Sequence, residues 1–255
     1  MKKTRRKPNS NPIVYLKESK REIKIIFILF ILSTLIGFIN ANNLRGIDAV
    51  LKDLIKQASD LKGISLISFI FINNTLTSLV GMFLGIFLGI FPIITVLSNG
   101  VILGYVLQKT AVTIGPLQFW RLIPHGIFEL PAVFISLGLG LKLGTDFIKN
   151  YFKKVKSRGM QILAVTSIIL SLIGLGIIKI AFTPNIALNT AASLLIDILV
   201  LILIVPFLTL FFIADKKIRQ FNINRIFQSL NIFIRIVIPL LIIAAIIEGL
   251  LITVL

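Results

Sequence analysis

Apolar residues gather into seven long runs, roughly 25–39, 64–91, 93–112, 123–144, 160–182, 189–214 and 232–255, separated by short polar or basic segments. The runs are hydrophobic all round, and most reach the roughly 20 residues of α-helix that cross a hydrocarbon core of about 30 Å. Strands of a membrane barrel would alternate apolar and polar positions instead. The pattern therefore predicts an all-α, polytopic transmembrane helix bundle of about seven spans, with a short loop at Pro92 between the second and third. Residues 1–24 are expected to form a basic cytoplasmic tail, and 25–255 a single transmembrane helical domain. No small-x-small cleavage site follows the first run, which is read as an uncleaved span.

Three amphipathic segments lie between the runs. In the first, Ile47, Val50, Leu51, Leu54, Ile55, Ala58 and Leu61 recur at three- and four-residue steps opposite Lys and Asp. This predicts an interfacial helix on the outer surface. Inside, Phe147, Ile148, Tyr151, Phe152 and Val155 form a similar stripe, and Ile218, Phe221, Ile226 and Leu230 a poorer one. Each is expected to lie on lipid headgroups, with docking of a partner protein as the alternative.

Charge adds orientation. The 255 residues hold 27 Lys and Arg against 10 Asp and Glu, a formal charge of +17, although 56% of positions are hydrophobic and mean hydropathy is +1.00. In a soluble protein that excess would point to nucleic acid, but here the cations bracket apolar runs, where they orient the chain and meet anionic lipids. Nucleic acid is not an expected partner. Twenty cations fall on the side of the amino-terminal tail and seven on the other. The positive-inside rule then places the protein in the cell membrane with its amino terminus cytoplasmic and its carboxyl terminus outside. The chain has no cysteine, which excludes disulfides, thiolate metal sites and cysteine nucleophiles.

Within the runs, Gly81, Gly85 and Gly89 stand four apart and predict a close helix contact, within the chain or between copies. Gly138, Gly140 and Gly144 crowd the end of the fourth run, and Asn99-Gly100 with Gly104 sits in the third. Ionisable residues at membrane depth are more informative, since a charge at the centre of a span costs about 2.5–3.5 kcal/mol on insertion scales. His125 and Glu129 are i and i+4 on one helix face, and Pro131 cannot donate to the carbonyl of Ile127, which should bend the helix beside the acid. At about 1.5 Å per residue, Glu129, Glu248 and Asp197 fall about 8–12 Å below the outer surface, with Asn73 and Asn74 a little deeper. Asn99, His125, Glu129, Asp197 and Glu248 are therefore the candidate intramembrane polar site.

The segment Asn99-Gly100, Gly104, Pro124-His125-Gly126-Ile127-Phe128-Glu129-Leu130-Pro131-Ala132, the glycines up to Gly144 and the closing Ala244-Ala245-Ile246-Ile247-Glu248-Gly249 resemble the stage II sporulation protein M family. The resemblance covers about residues 20–145 plus the last helix, and Asn99, His125, Glu129 and Glu248 match the family's polar motif. It implies an all-helical membrane protein whose named member belongs to machinery remodelling membrane and cell wall, with no catalytic role assigned to that member.

Three function classes are compatible with these features. A membrane scaffold or assembly factor, the favoured reading, needs only glycine-packed helices and docking surfaces, and implies a protein partner or a homo-oligomer. A transporter or channel would use Asp197, Glu129, Glu248 and His125 as a cation or proton path. An intramembrane metalloenzyme acting in peptide maturation would use His125, Glu129 and Glu248 as ligands of a divalent cation around an activated water. A single histidine excludes HExxH and leaves that site carboxylate-rich, and no Walker loop, dinucleotide fingerprint or serine nucleophile motif occurs. No catalytic residue and no cofactor are expected in the favoured reading.

Overall fold

The computed structural model describes residues 12–44, 47, 48, 51, 61–121, 123–154 and 216–254, and no strand occurs among them. In chain order the helices are α1 (Pro12–Glu18), α2 (Lys20–Ile39), α3 (Ile64–Leu84), α4 (Ile90–Thr113), α5 (Ile123–Lys154), α6 (Lys216–Ile232) and α7 (Ile238–Val254). Short 3-10 turns follow α2 at Ala41–Asn43 and α4 at Pro116–Arg121. The chain divides into two compact units, Met1–Thr145 with Asn224–Leu255, and Asp146–Ile223. The first unit holds most of the described helical residues. Of the second, the described residues are the end of α5 and the first part of α6.

Among the described residues, five stretches are long and apolar enough to cross a membrane: Lys20–Ile39, Ile64–Leu84, Ile90–Thr113, Gly126–Asn150 and Arg219–Leu251. The expected spans at 160–182 and 189–214 lie outside the described residues, and so does most of the outer amphipathic segment, of which Ile47, Asp48 and Leu51 are helical. The amino-terminal segment is helical from Pro12 onward, with Tyr15 fully buried.

The break between the second and third spans differs from expectation. It falls at residues 85–89, not at Pro92. Gly85 closes α3 through bonds to the Met82 and Phe83 carbonyls, and Gly89 turns the chain with a left-handed φ of 75°. Glycine adopts that conformation at no steric cost, whereas Leu88 beside it is also held at a positive φ, 59°. Pro92 instead occupies the first turn of α4, where a missing N–H is harmless. The inner amphipathic segments are not separate helices either. The 147–154 stripe is the end of α5, because no breaker follows Gly144, and the 218–230 stripe belongs to α6. A π-helical turn, Phe233–Val237, carries α6 into α7. Its wider winding precedes Pro239, whose ring would otherwise press on the carbonyl of Arg235.

In a bilayer, helices gain little by leaving lipid, so van der Waals fit and interhelical hydrogen bonds hold the bundle. Two glycine seams supply the fit. Gly37 on α2 lies against the Val101 backbone on α4, while Gly100 and Gly104 on α4 lie against the Phe30 and Thr34 carbonyls of α2. Along α3 and the turn after it, Gly81 faces Leu137, Gly85 touches the backbone of Gly140, and Gly89 faces Leu141. Gly81 alone of these three is inside the helix, so they share a seam but not a single helix face. Ser136 on α5 adds a 2.7 Å hydrogen bond to the Ser78 carbonyl on α3. Three apolar clusters complete the core: Met82, Leu139, Phe233 and Leu241 with Tyr15; Ile26, Phe30, Val96 and Leu137; and Leu66 and Ile70 with Ala245. Helix α5 contributes to the first two and is the most buried of the five spans.

Candidate functional site

Four helices, α2 to α5, meet around one partly open cavity of about 720 Å³. Helix α3 brings Asn73, Asn74 and Thr77 to it, α4 brings Thr95 and Asn99, and α5 brings Glu129. The local sequence explains the placement: Asn73 and Thr77, like Thr95 and Asn99, are i and i+4, so each pair shares a helix face. The remaining wall is mostly apolar, with Phe30, Leu103, Val106, Phe134 and Leu137 among its residues. Next to Glu129, Pro131 sits inside the continuous helix α5 and also lines the cavity. Because proline has no N–H, the Ile127 carbonyl lacks its helical donor on that same wall.

Of the candidate polar residues, Asn99 and Glu129 share this cavity. Glu248, on α7, is not among its described lining residues, yet its carboxylate interacts electrostatically with that of Glu129. Helix α7 packs on α3, with Gly249 against Ile67. His125 belongs to α5, its side chain lies outside the described set, and Asp197 lies outside the described residues altogether. Among the described residues no three His, Asp or Glu side chains group closely enough to share a metal ion.

The hydroxyls of Thr77 and Thr95 and the aromatic ring of Phe119 also line the cavity, and sequence reasoning does not single them out. The i,i+4 pairing of each threonine with an asparagine is the signal that could have found the hydroxyls. Nothing in the spacing marks Phe119. Near the same end of α4, the Tyr105 hydroxyl donates to the Asp48 carboxylate, and the Lys109 ammonium stands 5.4 Å from the Tyr105 ring centre. The hydrogen bond ties Asp48 to α4.

The apolar spans define an all-helical, polytopic membrane protein, and the cavity among them is lined in part by asparagine, threonine and glutamate side chains. Over residues 26–184 the chain matches the family described as stage II sporulation protein M, and it belongs to that family. No curated protein and no solved structure matches it.

Proposed function

We propose that the protein is an integral membrane assembly factor that organises partner proteins, or further copies of itself, at the cell membrane. The observation that carries this reading is the pair of glycine seams, in which α2 meets α4 and α3 meets α5 at backbone contact. Helices joined without an intervening layer of side chains have little freedom to slide, which suits a platform better than a carrier that rocks between two states. Helix α2 also presents Ile28, Leu32, Leu35 and Ile36 outward, an apolar face open to lipid or to a partner helix. Purification from native membrane in mild detergent is expected to yield a stoichiometric complex or a defined homo-oligomer. A monodisperse monomer that conducts ions in liposomes would reverse the reading in favour of a transporter or channel.

The cavity supports a second reading, a path or binding place for a small cation, with Glu129 as its charged group. Metal analysis of tag-free protein tests the variant in which His125, Glu129 and Glu248 hold a divalent cation. Orientation completes the proposal: the 20 to 7 partition of cations supports an amino terminus in the cytoplasm, with the basic segments on that side against anionic lipid. On this cysteine-free chain, Ser10→Cys should resist a membrane-impermeant maleimide in intact cells and Ser59→Cys should react. The opposite labelling pattern would invert the topology.

A further inference from the structure

Glu129 and three amide side chains face a mostly apolar cavity, and none of the four makes a hydrogen bond or ion pair among the described residues. At membrane depth such groups are costly unless something within the cavity satisfies them. We propose that the cavity binds a long-chain amphiphile with a primary ammonium head group, seated on Glu129 and on two of the side-chain carbonyls offered by Asn73, Asn74 and Asn99. This goes beyond the assembly role and does not depend on it.

Size limits the occupant. A spanning helix about 30 Å long and 10 Å across occupies roughly 2,400 Å³, several times the 720 Å³ here. A volume of several hundred Å³ is that of a small-molecule site, which takes a head group and part of a chain. Charge selects the head group. No Lys, Arg or His is among the described lining residues, so a phosphate or carboxylate would meet Glu129 with no counter-charge. A neutral alcohol would leave the carboxylate uncompensated in a low-dielectric setting. A primary ammonium offers three N–H donors, one for the carboxylate and two for amide oxygens, and its charge offsets that of Glu129. A bare divalent ion needs six or more oxygens at close range and would leave the apolar wall of Phe30, Leu103 and Phe134 unfilled.

The test uses the full chain in phosphatidylcholine nanodiscs, with octadecylamine bearing a photoactivatable diazirine on its chain as probe. Labelling is expected on peptides from α3, α4 and α5. Excess octadecylamine should compete for it, and octadecanol or octadecanoate should not. Glu129→Gln should lower apparent affinity at least tenfold, and Val106→Trp, which fills the cavity and leaves the carboxylate intact, should also reduce labelling. Thermal unfolding of both variants confirms that the fold survives, and Asn99→Leu serves in place of either that does not. Labelling confined to outward residues such as Leu35 and Ile36, equal competition by octadecanol, or undiminished labelling of a folded Glu129→Gln protein would each overturn the proposal. Loss of labelling would leave the assembly reading intact, because that reading is judged by oligomer size and partner stoichiometry.

Discussion

Gly85→Leu is expected to abolish the folded bundle or lower its apparent melting temperature in detergent by well over 10 °C. A Cβ at this position would overlap the Gly140 backbone, and a backbone cannot swing aside as a side chain can. The opposing residue is already glycine, so no compensating substitution on α5 makes room. Overpacking of a tight contact costs about 1–3 kcal/mol when side chains can yield, and here it is two chain segments that would have to separate. Gly126→Ala is the control, because the nearest atom to its added Cβ is Leu130 Cδ1 at 3.9 Å. That variant should be neutral, or stabilised by up to about 1 kcal/mol through helix propensity. Scanning fluorimetry with size-exclusion chromatography reads both. Equal melting temperatures for wild type and Gly85→Leu would mean that the α3–α5 seam is not formed.

Spans are legible in the sequence because twenty-residue apolar runs have few other solutions in a bilayer. Element ends are less legible. Pro92 stands out as the obvious breaker, but proline is harmless in a first turn, and the turn is made by Gly85 and Gly89, whose four-residue spacing points to packing alone. Continuity from α6 into α7 is hidden for a related reason: an amphipathic stripe gives way to an apolar run, and the change in pattern resembles a boundary. The π-helical turn before Pro239 leaves no mark in hydrophobic periodicity. At the site, intramembrane Asn99 and Glu129 are readable from cost alone. Which helices face one another is not, because depth along a helix says nothing about its neighbours. Gly37 shows the same limit: alone on α2, it acquires a role only once Val101 is known to lie across from it.

The largest effect expected away from the glycine seams is where α2 meets α5: Lys142→Met should destabilise the protein by about 3 kcal/mol, the lower edge of the roughly 3–5 kcal/mol for breaking a buried ion pair. Glu22 on α2 is 1% exposed, with Arg21 at 2.8 Å and the Lys142 ammonium at 4.0 Å. Arg21 is 65% exposed, so water screens its charge, whereas Lys142 on α5 is 12% exposed. The second oxygen of Glu22, Oε2, is buried with no hydrogen bond among the described residues. Removing Lys142 therefore leaves a desolvated carboxylate with a single, largely hydrated counter-charge, and that residual charge is what destabilises the fold. The same substitution in a Glu22→Met background should cost much less, since no buried charge is then stranded and a methionine pair can pack in its place. Apparent melting temperatures of the four proteins in one detergent give the coupling. If Lys142→Met cost the same in both backgrounds, Lys142 would be acting through packing of its aliphatic stem, and the charge on Glu22 would be neutralised by Arg21 alone.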